Sequence, residues 1–290
     1  MLEPSEFRAD EAPPRARDYD RKCLVPLNAQ TAPHVLICPQ AIDGSPLIYR
    51  ELVDRLTPTF SVYSFDARIP LLEHRPFLTV PDTAAYYVDQ ILLARPDGPY
   101  RFFGFSSGGL IALEMARQLR SRGADVPLVV LGDTQMEEQR PLDLGARLGW
   151  LFFGEVFIQK DIGKLIGWGP LSGFPFWQLD DAGRLDFLAG LRASSRESPE
   201  LARAETARDF EAFSKYLRAY VTHDPAPYEG DAVYLKSAVP QPFVDKWLAK
   251  LKLLRGRVLD LGVKEHLQLV KPPGVDKTAE FLLSTVTPRA

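Results

Sequence analysis

The run Gly104-Phe105-Ser106-Ser107-Gly108 sets a small hydroxyl between two glycines, where an apolar stretch, YRFFGF, meets a helix-like one, GGLIALEMARQLRSRG. The spacing fits G-x-S-x-G, the pattern of a nucleophile carried on a tight strand-to-helix turn. The pattern alone is weak, and its flanks give it weight. Such a turn forces Ser106 into a strained backbone, and Gly104 and Gly108 leave room for the neighbouring strand and helix. Ser106 then stands at a helix N-terminus, where N–H groups and the helix dipole favour developing negative charge. The chemistry this suits is nucleophilic attack, which needs a base, and the base needs an orienting acid.

Four histidines are available as the base. His34 lies inside the first strand-like run, His74 in a Pro-rich loop, and His223 in THDPAPY after a helix-like segment. His266 follows the apolar run RVLDLGV and so projects beyond a strand end, where sites gather in open α/β sheets. It also satisfies the chain order Ser…Asp…His. For the acid, Asp133 closes PLVVLGD directly after the Ser106 helix and is favoured. Asp245 and Asp260 compete with it. An oxyanion hole needs two N–H donors. Ser107 supplies one, and the loop CPQAIDGS supplies the other through Ala41 or Gln40.

Around these residues strands and helices alternate. HVLIC (34–38), FSVYSFD (60–66), YRFFGF (100–105), PLVVLGD (127–133), DAVYLKS (231–237) and RVLDLGV (257–263) read as strands. SPLIYRELVDRL reads as a helix capped by Ser45 before Pro46, and DTAAYYVDQILLAR as one opened by Asp82. Further helices are expected at 108–123, at Phe243–Leu254 and in GVDKTAEFLLSTV. The rhythm predicts a doubly wound, mostly parallel sheet covered on both faces. It breaks between Thr134 and about Pro227, a helix-like and aromatic stretch. The expected organisation is a flexible tail at 1–24, a core of 25–133 and 228–290, and a helical insertion at 134–227. Trp150, Phe153, Trp168, Phe176 and Trp177 fall in the insertion and suit either its own small core or an apolar channel over Ser106.

The chain of 290 residues is 46% hydrophobic and 25% charged, with net charge −3, which gives no reason to expect nucleic-acid or anionic-membrane binding. No apolar run reaches the roughly 18 residues of a membrane span. Cys23, in the tail, and Cys38, in a strand, give no disulfide framework, and a soluble, cytoplasmic protein is expected.

Taken together, these motifs resemble the C-terminal (type I) thioesterase domains that end nonribosomal peptide and polyketide synthases, from about Leu24 to the last helix. GFSSGGLIALEMARQLRSRG followed by VPLVVLGDT is the most specific part. The resemblance implies an α/β-hydrolase fold with a helical lid at 134–227 and a triad of Ser106, Asp133 and His266. It implies no metal and no bound cofactor. The substrate would be an acyl, peptidyl or polyketide chain carried as a thioester on the phosphopantetheine arm of a carrier protein. Release would be by hydrolysis or cyclisation. A free-standing editing (type II) thioesterase and a carboxylesterase or lipase acting on oxoesters use the same triad; the linker-like N-terminus and the MARQL helix favour a terminal domain. The chain departs from the family's common pattern at CPQAIDGS, at Lys264 before Glu265-His266, and at Ser107, where a larger apolar residue is frequent.

Overall fold

The apolar runs pair side by side in a computed structural model that describes residues 23–41, 44–67, 79–134, 179–192, 198–207, 219–220, 222–238 and 257–286. In chain order the strands are β1 (Leu24–Pro26), β2 (His34–Cys38), β3 (Phe60–Phe65), β4 (Tyr100–Phe105), β5 (Leu128–Gly132), β6 (Ala232–Lys236) and β7 (Arg257–Asp260). They form one sheet in the order β1-β3-β2-β4-β5-β6-β7. Only β1 runs antiparallel to its neighbour. The chain steps outward from β2 to β3, then crosses back past β2 to β4, so the direction of winding switches between β2 and β4. Ligands of open α/β sheets bind at the carboxyl ends of the strands beside such a switch.

The helices are α1 (Arg50–Leu56), α2 (Val80–Ala94), α3 (Gly108–Ser121), α4 (Asp181–Arg192) and α5 (Val275–Ser284). Side chains alternate across the strands. Val35, Ile37, Phe102, Val129, Leu131 and Tyr234 pack with α2 and α3 on one face. Leu36, Phe103, Val130, Val233 and Leu235 pack with α1 and α5 on the other. Both faces are therefore buried, which is why these strands read as continuous apolar runs.

Three local readings change. Cys23 is fully buried in the core and Leu24 opens β1, so the fold takes up two residues assigned to the tail. The Leu24 N–H donates to Gln90 of α2, which anchors that edge. Helix α2 starts at Val80, not Asp82; Thr79 is its cap, with Pro81 in the first turn, and Thr79 Oγ1 accepts from the Asp82 N–H at 3.1 Å. Two cap-type residues three apart made the inner one look like the start. Ser45 does cap, but it opens a short 3-10 helix, Pro46–Tyr49, that runs into α1.

Within 134–227 the described residues include α4 and a helix at 199–207. The exit from the sheet is anchored: Thr134 is fully buried, its carbonyl accepts from the Tyr234 hydroxyl, and its own hydroxyl donates to the Gly104 carbonyl. Near the return, Tyr228 is buried in the α2–α3 face. The expected helix at Phe243–Leu254 lies outside the described residues, as do His74 and Asp245. Among the described residues no helix is long and apolar enough to cross a membrane. Neither Cys23 nor Cys38 forms a disulfide, and the two belong to opposite faces of the sheet.

Candidate active site

Ser106 turns the corner from β4 to α3 with φ of 53°, a left-handed conformation that a side chain rarely adopts. Holding a non-glycine residue there costs about 1–3 kcal/mol, so its surroundings must over-determine it. The Ser106 N–H donates to the Gly132 carbonyl at 2.8 Å, and its carbonyl accepts from the Gly109 N–H at 3.1 Å. Space is the other constraint. A Cβ on Gly104 would meet the Gly109 Cα at 2.4 Å, and one on Gly108 would meet the Pro39 carbonyl at the same distance. Both contacts are with backbone, which cannot swing away. The two glycines of the motif are required by close approach, as the spacing predicts.

Asp133 lies at the tip of the adjacent strand and is also left-handed, with φ of 43°. The sequence gives no sign of that second strained corner. Its N–H donates to the Leu235 carbonyl, and its carboxylate, fully buried, has two partners. Oδ1 accepts from the Ser237 N–H at 2.8 Å, and Oδ2 lies 3.2 Å from His266 Nδ1. Burial is the strongest influence on this carboxyl and opposes its ionisation. The hydrogen bonds from His266 and Ser237, with the charge of His266, outweigh burial and hold it below the ordinary carboxylate range.

His266 begins a short 3-10 helix, His266–Leu269, after β7. A capping box fixes that turn: the Glu265 side chain accepts from the Gln268 backbone, and the Gln268 side chain accepts from the backbone N–H groups of Glu265 and, at 2.9 Å, Lys264. The imidazole lies over the ring of Phe105, with centroids 4.4 Å apart and planes inclined by 32°. Phe105 immediately precedes Ser106, so the histidine is gripped between the acid and the strand that carries the serine.

The expected oxyanion residues converge here too. Ser107 is buried and helical, and caps α3. Gln40 and Ala41 are buried just beyond β2, against the Ser106 turn: the Gln40 carbonyl lies 2.9 Å from where a Gly108 Cβ would stand. Of the other histidines, His34 sits at the start of β2, the far end of the sheet. His223 is held below its ordinary range by burial, against the pull of Glu114 and Asp224 and with the help of Arg117. Asp260 closes β7 with its carboxylate turned to the Gly262 N–H. Trp150, Phe153, Trp168, Phe176 and Trp177 lie outside the described residues.

Sequence reasoning missed Phe105, Ser237, Gln268 and Tyr49, whose contacts depend on the third dimension. Only Glu265-x-x-Gln268 left a trace, and its first residue is an uncommon cap.

The thioesterase-domain family model matches residues 33–145. The dimodular nonribosomal peptide synthase of Bacillus subtilis (strain 168) is 25% identical over 226 residues, 77% of this chain and 9% of that protein. Polyketide synthase PksR of the same organism is 34% identical over 91 residues, 31% of this chain and 4% of that protein. This chain thus spans less than a tenth of the length of either. Among solved structures, the thioesterase domain of NocB, in covalent complex with a fluorophosphonate nocardicin G analogue, has a TM-score of 0.61 at 18% identity, covering 91% of this chain and 100% of that one. The surfactin-cyclising thioesterase domain SrfTE has a TM-score of 0.55 at 17% identity, covering 90% and 94%. The resemblance read from the sequence holds, and the fold is that of the α/β-hydrolases.

Proposed function

We propose that this chain, similar as it is to the thioesterase domains of nonribosomal peptide and polyketide synthases, releases an acyl chain from a carrier-bound thioester through an ester on Ser106. His266 takes the Ser106 proton as the serine oxygen attacks the thioester carbonyl. The N–H groups of Ser107 and of Ala41 or Gln40 receive the oxyanion, and the C–S bond breaks as His266 returns the proton to the departing pantetheine thiolate. Water, or a hydroxyl or amine of the chain itself, then attacks the ester with His266 again as base, and the Ser106 ester bond breaks as His266 returns the proton to the serine oxygen. Asp133 holds the imidazole in the tautomer this needs and stabilises its cation.

The observation that supports the reading most is the contact of Asp133 with His266 at 3.2 Å, beside a serine turn with φ of 53°. The proposed partner is an acyl or peptidyl carrier protein, and the phosphopantetheine arm is substrate, not resident cofactor. The insertion at 134–227 is proposed as the lid, with Trp150, Phe153, Trp168, Phe176 and Trp177 lining its acyl channel. Two buried cysteines outside any disulfide suit a reducing compartment such as the cytoplasm.

Intact mass after exposure to acyl-pantetheine thioesters, beside matched oxoesters, tests the proposal. It expects one acyl group per chain from the thioesters, with faster turnover than from the oxoesters. Equal turnover of simple oxoesters would make the chain a carboxylesterase, and no acylation would end the proposal.

A further inference from the structure

The hydroxyl of Tyr49 joins two stretches of backbone that the proposed acyl transfer needs at a fixed spacing. Tyr49 is fully buried at the end of the 3-10 helix Pro46–Tyr49. Its hydroxyl donates to the Pro39 carbonyl at 2.6 Å and accepts from the Phe105 N–H at 3.3 Å. Pro39 leads directly into Gln40 and Ala41, and Phe105 into Ser106. The strands these residues extend, β2 and β4, pair only through Val35–Tyr100, Leu36–Arg101 and Ile37–Phe102. The ladder stops short of both residues. Beyond it the two strand tips are bridged by a phenol that donates to one and accepts from the other, which a hydroxyl does with a single atom. The ring itself is held edge-on by Phe103, with centroids 6.0 Å apart.

We infer that Tyr49 is a positioning residue whose hydroxyl sets the gap between the Gln40–Ala41 backbone and the Ser106 turn. The inference rests on the acyl-transfer reading above. Oxyanion donors act at about 2.7–3.1 Å from the developing charge, and here the two proposed donors hang from different strands. Their spacing depends on whatever ties the tips together. Without the hydroxyl, the Pro39 carbonyl loses its buried donor and the Phe105 N–H its acceptor, and the tips settle at another distance. The effect belongs in the chemical step, because the bridge ties together the backbone that carries the proposed nucleophile and the backbone that carries the proposed oxyanion donor.

The test compares Tyr49→Phe, Tyr49→4-aminophenylalanine and, as a control in the core on α5, Leu282→Ala with the wild type, well below their melting temperatures. The readouts are the rate of fluorophosphonate labelling at Ser106, and kcat and KM on an acyl-pantetheine thioester. Tyr49→Phe is expected to lower the labelling rate and kcat about tenfold, with KM within about twofold, since small misplacements of reacting groups cost rate. The amine, which can still donate and accept, restores most of the rate. Leu282→Ala lowers Tm and leaves kcat within about twofold. Wild-type rates in Tyr49→Phe, or an amine variant no faster than the phenylalanine one, would overturn the inference and leave Tyr49 a packing residue. If Tyr49→Phe does not fold, the amine variant decides: near-wild-type rates support the bridge, and a tenfold loss contradicts it. No labelling of the wild type at Ser106 would overturn the acyl-transfer reading itself, and this inference with it.

Discussion

Among the described residues two carboxylates are buried within reach of α3, and only one belongs to the proposed chemistry. Asp133 is fully buried and Glu114 is 5% exposed. Each has good partners. Glu114 accepts from Arg117 at 2.6 and 2.9 Å and from Gln118 at 2.8 Å, all within one helical turn. Asp133 accepts from the Ser237 N–H and meets His266. Burial and hydrogen bonding therefore do not tell them apart. The partners do. A guanidinium can only donate, whereas an imidazole has one ring nitrogen to donate and another to accept a proton. The backbone differs as well: Glu114 sits in regular helix, and Asp133 on a left-handed corner beside a second such corner at Ser106. The carboxylate of the proposed site is the one whose partner is an imidazole and whose backbone turns a left-handed corner.

A matched pair of substitutions breaks the comparison most sharply. Asp133→Asn is expected to lower turnover on the order of 10⁴-fold, as neutralising a triad acid does, because the amide favours the wrong imidazole tautomer. Steady-state kinetics on an acyl-pantetheine thioester checks it; near-normal turnover would remove Asp133 from the acid's role. Glu114→Gln, the same change in the other cluster, should leave kcat within about twofold and cost about 1–3 kcal/mol of stability, since a buried acceptor is traded for one with a misplaced donor. Urea unfolding measures that loss. A catalytic defect without a stability defect in Glu114→Gln would reverse the ranking of the two sites.

A smaller effect separates the histidines. Burial holds His223 below its ordinary range, so the unfolded chain takes up the proton first. Its contribution to stability is present above about pH 6.5 and is lost as pH falls toward its lowered value. Wild-type urea midpoints should drop between pH 7.5 and 5.5, and His223→Gln should drop less. Equal slopes would contradict this. Asp133, also held low, adds stability that is present above about pH 4 and lost below it. Turnover of His223→Ala should stay close to wild type.

The sheet was legible because parallel strands buried on both faces leave unbroken apolar runs, as in Val129–Leu131 and Val233–Leu235. The serine turn was legible because its glycines are demanded by backbone contacts, and backbone contacts leave the same two residues wherever the turn occurs. His266 and Asp133 could be picked by their places after apolar runs. What holds them there could not. Ser237 reaches Asp133 through both its side chain and its backbone N–H, yet nothing in the sequence sets it apart from other serines, and Phe105 and Tyr49 look like ordinary core aromatics until the fold brings them 161 and 56 positions along the chain to their partners. The start of α2 was misplaced for a local reason, since Thr79 and Asp82 both have capping side chains and only geometry decides which is outermost.

The central claim is that Ser106 is the nucleophile, and fluorophosphonate labelling followed by intact mass and peptide mapping tests it most directly. The account predicts one adduct per chain, on Ser106, absent from Ser106→Ala and undiminished in Ser107→Ala, where only the backbone N–H of residue 107 is needed. An adduct mapped to Ser107, or labelling that persists in Ser106→Ala, would contradict it.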